Sequence, residues 1–234
     1  MAAATNTAEL LWGPPNRPKR GPKPALSLDR ILETAIALAD SDGLASLSMQ
    51  KLAEELGFTK MSLYRYTPGR AELTALMLDV ALGAPPDLSP THGWRSKLHA
   101  LATQLHHLSA HHPWSLEIAV GTRIFGPNEL GWLESGLAAL AGTGLTGGEK
   151  LDAIVLVFGH VRALVQQTAS TPGGGSEQDL NAVMAGVLAE NAHTYPEVLA
   201  AFSAAGAAAE FDNALEFGLA RIFDGLAMLI AERN

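Results

Sequence analysis

Residues 47–70 read LSMQKLAEELGFTKMSLYRYTPGR, and this stretch decides the fold because it encodes two short helices joined by a tight turn. Apolar side chains recur at the spacing of one buried helical face, at Met49, Leu52, Ala53 and Leu56. Gly57 follows where a helix needs a left-handed C-terminal cap, so the first helix is predicted to end at Leu56. The pattern is typical of a helix-turn-helix.

The second helix of the pair, from about Lys60 to Tyr66, has one main inward-facing residue, Leu63. Phe58 is expected to fill the turn, and the Thr59 hydroxyl can cap the new helix. The remaining side chains point outward: Lys60, Met61, Ser62, Tyr64 and Arg65. A narrow helix with such a donor-rich face fits a major groove about 12 Å wide. The sequence therefore predicts a recognition helix for double-stranded DNA.

The helices that flank this pair complete a small domain. Ser27 can cap a helix that ends at Asp42 and Gly43, and after the turn at Pro68 another helix repeats the apolar spacing as far as Gly83. These elements predict an all-α fold with a three-helix DNA-binding domain at residues 27–84. The fourth helix is expected to connect it to a larger helical domain at residues 85–234.

Composition restricts the class of protein. The chain has 234 residues, 47% of them hydrophobic, which is enough to bury an ordinary core. No apolar run reaches the roughly 18 residues that a membrane span needs, and no signal peptide is recognisable, so no membrane partner is predicted. With no cysteine, disulfides and thiolate metal sites are excluded, and a cytoplasmic location is favoured.

The charge is unevenly distributed. Basic and acidic residues balance over residues 1–85, so the net charge of −8 lies entirely in residues 86–234. Four basic residues crowd into the proline-rich stretch RPKRGPKP: Arg17, Lys19, Arg20 and Lys23. We expect residues 1–26 to form a flexible basic arm that reaches phosphates or the minor groove. The alternative is a solvated tail without a role in binding.

The second domain contains two segments that suggest self-association. Residues 151–168 are apolar nearly all round, and their length favours a helix over a buried strand. Residues 210–230 carry two apolar or small-residue stripes, which require two neighbours. A homodimer through both segments is predicted, with packing inside one large α domain as the alternative. The glycine-rich residues 141–150 are assigned as a helix connection, because no strand precedes them as in a phosphate loop.

Segment 27–84, with MQKLAEELGF, MSLYRY and the turn into AELTALMLD, resembles the DNA-binding domain of the tetracycline-repressor (TetR) family of bacterial regulators. The resemblance implies a homodimeric repressor of a palindromic operator, with half-sites about 34 to 36 Å apart, that a small ligand releases. An alternative is a ligand-independent DNA-binding activator or architectural protein. No catalytic motif is present, so an enzyme is not predicted.

The resemblance also assigns DNA contacts by position. Tyr64, Tyr66 and Arg70 match phosphate-binding positions, although Tyr66 replaces a common histidine and Arg70 a common lysine. Ser48 is a further phosphate candidate. Base edges are expected to be read by Gln50, Lys60, Met61 and Ser62, with Thr59 beside them. The alternative for Tyr64 is a core tyrosine whose hydroxyl reaches the rim.

Aromatic residues in the second domain predict a pocket for a small, largely apolar effector. Its candidate lining residues are Trp94, His111, Trp114, Phe125, Trp132 and Phe158, although aromatic residues at helical spacing also serve as plain core. The histidines at 106, 107, 111 and 112 raise the alternative of a metal site. We predict no metal and no cofactor, because no carboxylate or cysteine stands at ligand spacing near them in the sequence.

Overall fold

The computed structural model describes residues 2–13, 25–169, 177–208 and 213–233, and these ranges contain helices and no strand. The all-α prediction is confirmed. The α-helices are α1 (Ala2–Trp12), α2 (Leu28–Asp42), α3 (Met49–Leu56), α4 (Lys60–Tyr64), α5 (Arg70–Leu82), α6 (Trp94–His111), α7 (Ser115–Ile118), α8 (Pro127–Ala139), α9 (Gly147–Ala169), α10 (Glu177–Glu190), α11 (Pro196–Ala208) and α12 (Ala214–Arg233). Within these ranges, no helix is both long and apolar enough to cross a membrane.

The chain forms two compact units, residues 1–141 and 142–234. In the first unit, α5 packs against α1, α2, α6, α7 and α8, so it serves as the central helix. The second unit is built around the packing of α9 on α12. The domain boundary expected between residues 84 and 85 remains a prediction.

The helix-turn-helix forms as its local signals predict. Ser48 caps α3 by accepting the backbone N–H of Lys51 at 3.1 Å, and Gly57 ends the helix with φ 74° and ψ 30°. Only glycine adopts this left-handed backbone conformation without a steric cost. Six side chains from four helices and one turn make a core with no exposed area, namely Ile31, Leu47, Leu52, Leu63, Leu73 and Met77.

Helix α1 was not predicted, because residues 1–26 were expected to be flexible throughout. Leu11 is 8% exposed and joins the core of the first unit, and the indole N–H of Trp12 donates to the Phe125 carbonyl at 3.0 Å. The prediction is therefore wrong for residues 2–12, since burial of Leu11 against neighbouring helices offsets the cost of ordering them. The four basic residues of the arm lie outside the described residues.

A polar junction joins α5 to α8. The Asp79 carboxylate accepts the backbone N–H groups of Asn128 at 2.9 Å and Glu129 at 3.2 Å, at the first turn of α8. A Cβ on Gly126 would overlap this carboxylate, so only glycine allows the close approach. The indole N–H of Trp132 also donates to the Gly83 carbonyl at 3.0 Å. These contacts hold the first turns of α8 against the C-terminal end of α5.

In the second unit, α9 extends beyond the predicted helix at 151–168. Helix α12 spans 214–233 and includes most of the helix predicted at 210–230, of which residues 210–212 lie outside the described residues. Their shared core includes Ile154, Val157, Val161, Leu219 and Phe223, none more than 2% exposed. Among the described residues, α9 is not covered on every side, because Val155 is 70% and Leu156 is 53% exposed.

Candidate nucleic-acid interface

Helix α4 is the predicted recognition helix, and it is two residues shorter than expected because Arg65 forms its C-cap. Leu63 is fully buried, and its carbonyl accepts the N–H groups of Tyr66 at 2.8 Å and Thr67 at 3.0 Å. The Thr59 hydroxyl does not cap the helix backbone; it lies 3.1 Å from the Ser62 hydroxyl. A single apolar anchor thus attaches the helix to the core.

The opposite face of α4 is open to solvent. Met61 is 72% exposed, Tyr64 is 38% exposed, and Lys60 and Arg65 are exposed. The exposure of Tyr64 argues against its alternative interpretation as a core residue. This face offers an ammonium, a guanidinium, a phenol hydroxyl and an apolar thioether, which together can contact phosphates, base edges and a thymine methyl.

Helix α3 contributes two of the predicted contact residues. Ser48 and Gln50 are both exposed, but each already has a partner within the protein. The Ser48 hydroxyl accepts from Lys51, and the Gln50 amide donates to the Glu54 carboxylate. Because the Gln50 amide has a second N–H and a carbonyl oxygen, it can keep this bond and still offer a donor and an acceptor to adenine. Lys51, which follows Gln50, forms an ion pair with Asp42. Its hydrogen bond and positive charge lower the pKa of the Asp42 carboxyl.

Tyr66 and Arg70 have internal roles that the sequence does not reveal. The Tyr66 hydroxyl is half-buried and donates to the Leu26 carbonyl at 2.8 Å, so its hydrogen is not available to a phosphate. Arg70 is exposed and donates one N–H to the Leu44 carbonyl at 2.8 Å. Because a guanidinium has five N–H donors, Arg70 can hold this carbonyl and still contact a phosphate.

The six predicted effector-binding residues have different surroundings. Trp114 and Trp132 are both 2% exposed, and the N–H of Trp114 donates to Asp40. Phe125 is 44% exposed and lies under the Arg123 guanidinium, 4.9 Å from the ring centre. Trp94 is half-buried and His111 exposed, both on α6, while Phe158 belongs to α9 in the second unit. Trp114 and Trp132 are therefore buried, and the effector-binding role of the six residues remains a prediction.

A cleft of about 300 Å³ lies elsewhere in the first unit. None of the predicted effector residues lines it; the lining residues are Pro86, Asp87, Leu88, Ser89, Lys97, Ser135, Ala138 and Ala139. The backbone N–H of Ser89 holds Asp87 in a turn and lowers its pKa.

The histidines at the end of α6 have a carboxylate neighbour that sequence spacing did not reveal. Asp40 of α2 accepts from Nδ1 of His112 at 2.7 Å and from Nε1 of Trp114 at 2.6 Å. His111 stacks edge-on against His112 with 4.5 Å between ring centres. The sequence indeed has no carboxylate at ligand spacing near these histidines, because Asp40 comes from a helix 72 residues earlier in the chain and reaches His112 only in the fold.

An exposed donor-rich helix on a buried three-helix core defines a DNA-binding protein of the helix-turn-helix class. Comparison with known families agrees: residues 31–76 match the family "Bacterial regulatory proteins, tetR family", and residues 85–230 match "Tetracyclin repressor-like, C-terminal domain". The chain belongs to the TetR family of bacterial transcriptional regulators, which is a family of regulators and not of enzymes.

Individual relatives support this assignment along most of the chain. The chain is 40% identical to the HTH-type transcriptional repressor DrrR1 of Streptomyces coeruleorubidus, over 97% of this chain and 87% of the relative. It is 33% identical to an HTH-type transcriptional regulator of Saccharopolyspora erythraea, over 67% and 68%. The crystal structure of apo ActR from Streptomyces coelicolor matches with a TM-score of 0.72 at 26% identity, covering 90% of this chain and 99% of ActR.

Proposed function

We propose that this regulator is a repressor that binds a palindromic operator as a homodimer and is released by a small, largely apolar molecule. The observation that carries the DNA-binding part is the exposed face of α4, held to the core by Leu63 alone. The similarity to DrrR1, a named repressor, supports repression over the alternative of an activator or architectural protein. A protein that acts on bacterial operators is expected in the cytoplasm.

Within this proposal, Lys60 and Met61 read bases, and Tyr64 and Arg70 contact phosphates. Ser62 and Thr59 lie beside them. Gln50 reads bases with its second N–H and its carbonyl oxygen while it stays bonded to Glu54, and Ser48 has a secondary role because its hydroxyl already caps α3. Tyr66 is expected to support the interface from inside through its bond to Leu26.

The test is a binding measurement with Lys60→Ala on the duplex that wild-type protein selects from a random pool. Because a good base contact contributes about 1–3 kcal/mol of discrimination, affinity for that duplex should fall at least fivefold, while affinity for an unrelated duplex changes little. Lys150→Ala removes the same charge from α9 and is the matched control. Equal losses for both variants, or equal losses on both duplexes, would contradict base reading by Lys60.

The homodimer is supported by apolar side chains that the described chain leaves uncovered on α9 and α12. The most exposed of them are Leu151, Val155, Leu156, Phe217 and Met228, with exposures from 45% to 70%. The two helices pack on each other and present these side chains to solvent, as expected of a self-complementary surface. This surface agrees with the segments 151–168 and 210–230 expected from the sequence.

A charge at the centre of this surface tests the dimer. Val155→Glu should convert a wild-type dimer to a monomer in analytical ultracentrifugation at micromolar concentration, because an unpaired carboxylate would be buried in the interface. Val183 on α10 is 73% exposed, so Val183→Glu is the matched control and should leave the dimer intact. A monomeric wild type, or a dimeric Val155→Glu, would refute the proposed interface.

The crystal structure of a related regulator with a bound small molecule supports the proposal of an effector. ActR in complex with actinorhodin matches this chain with a TM-score of 0.71 at 26% identity, covering 88% of this chain and 98% of ActR. Actinorhodin is therefore a first probe in a thermal-shift and operator-release assay that continues with other apolar compounds. A true effector at 100 times its dissociation constant should add about 2.7 kcal/mol of stability. A compound that stabilises the protein without releasing DNA would contradict effector-driven release.

A further inference from the structure

Asp40, His111 and His112 form a cluster that the proposed DNA-binding and dimer surfaces do not use. Each residue offers one ligand atom, and these three atoms lie within 4.8 Å of one another. Asp40 comes from the last turn of α2, His111 is the last residue of α6, and His112 is its C-cap. We propose that these three side chains bind a divalent transition metal ion such as Zn²⁺, with water as the fourth ligand.

The ligand set suits this class of ion. Two imidazoles and one carboxylate are ligands that zinc takes in open sites with three protein ligands. Bond lengths of about 2.1 Å place tetrahedral ligand atoms about 3.4 Å apart. The three atoms lie within 4.8 Å of one another, and rotation of the exposed His111 side chain would bring its ligand atom to that distance when the ion binds. The separation of 2.7 Å between Asp40 and His112 opens slightly, as the ion replaces the hydrogen that joins them.

The local field also favours a cation. The carbonyl end of a helix carries a partial negative charge, and the ends of both α2 and α6 meet at this cluster. Helix α2 has no basic residue in its last turn and instead carries Asp40 and Asp42 there. Lys51 pairs with Asp42, which leaves Asp40 with only the His112 ring and the Trp114 indole as partners among the described residues.

Trp114 prepares the carboxylate for binding. Its indole is buried in the core of the first unit, and its N–H donates to Oδ1 of Asp40 at 2.6 Å. A hydrogen bond of this kind to a ligating carboxylate fixes its orientation, and losing such a partner typically weakens metal binding 10- to 100-fold. The buried Trp114 thus supports the site although it is not itself a ligand. A histidine pair on the surface has no such support.

His111 distinguishes a metal site from a cluster whose function is only the hydrogen bond between His112 and Asp40. His111 takes no part in that hydrogen bond, and its contact with His112 is a ring contact. A structural role for the pair therefore does not need His111, whereas a metal site does. An ion would also join α2 to the turn after α6; any effect of this link on operator affinity rests on the proposed function.

The test is isothermal titration of Zn²⁺ into tag-free, metal-stripped protein. Wild type should bind one ion per chain, and His111→Ala should bind at least tenfold more weakly while keeping the wild-type melting temperature without metal. His107→Ala removes another exposed histidine of α6 and should bind as wild type does. Asp40→Asn, which keeps an acceptor for Trp114, should also weaken binding at least tenfold.

Three outcomes would overturn the site: no Zn²⁺ binding by wild type, equal affinity in His111→Ala, or an equal loss in His107→Ala. None of these measurements involves DNA, so a failure here is distinguishable from a failure of the proposed repressor function.

Discussion

Replacing Asp79 by alanine tests whether one carboxylate of α5 holds the start of α8. Asp79 is 6% exposed and accepts two backbone N–H groups, from Asn128 and Glu129. Alanine would leave both donors without an acceptor, and each buried unsatisfied donor costs about 1–3 kcal/mol. Removing the carboxylate also removes the free-energy cost of burying its charge, which offsets part of that loss. We expect Asp79→Ala to lower the free energy of unfolding by about 2 kcal/mol at pH 7.

Asparagine at the same position separates the hydrogen bonds from the charge. Burial raises the pKa of Asp79 above its ordinary value of 3.8, against the lowering effect of the two N–H groups. The folded state therefore holds this proton more tightly than the unfolded state, and the contribution of Asp79 to stability falls as pH rises from about 3.8 through the folded pKa. Asparagine keeps an acceptor oxygen without a charge. Asp79→Asn should lie within about 1 kcal/mol of wild type at pH 7 and lack this fall.

The assay is urea denaturation followed by circular dichroism at pH 7 and at several values down to pH 4. Glu33 is exposed, and Glu33→Ala is the control for loss of a surface carboxylate, with an expected change of at most about 0.5 kcal/mol. If Asp79→Asn loses as much stability as Asp79→Ala, the charge and not the acceptor geometry holds the junction, which contradicts the role assigned to the two hydrogen bonds.

Three further substitutions probe the helix-turn-helix. Leu63→Ala removes the only buried side chain of α4 and should cost about 2–5 kcal/mol in urea denaturation; a loss below 1 kcal/mol would contradict the single-anchor description. Gly57→Ala meets no atom within 4 Å but keeps φ at 74°, so it should cost about 1–2 kcal/mol, and a neutral result would refute the left-handed requirement. Tyr66→Phe should lose about 1 kcal/mol of stability at unchanged DNA affinity, because its hydroxyl donates to Leu26; lower affinity at unchanged stability would restore the phosphate role.

The parts of the fold that followed from the sequence are those set by local signals. Ser48, Gly57 and the apolar spacing of α3 act within a few residues of one another, so the helix-turn-helix could be placed before any tertiary contact was known. The helix at 151–168 could also be predicted from the sequence alone, because the apolar segment is longer than a typical strand. Helix α1 was missed because its stability depends on Leu11 entering a core formed by later residues.

Contacts between distant residues could not be predicted in this way. The inward direction of the Tyr66 hydroxyl depends on the position of Leu26, and the pairing of Asp40 with His112 depends on how α2 lies against the end of α6. Aromatic residues in a helical domain predict burial more reliably than they predict a cavity, and Trp114 and Trp132 illustrate this because each donates its N–H within the first unit.

The way α4 is attached to the core has a consequence for redesign. Since Leu63 alone anchors the helix, the neighbouring Lys60, Met61 and Tyr64 can be randomised together with little effect on folding. A combinatorial library at these positions should retain its melting temperature while its members diverge in the duplexes they prefer. New operator specificities would then be selectable without compensating mutations elsewhere in the chain.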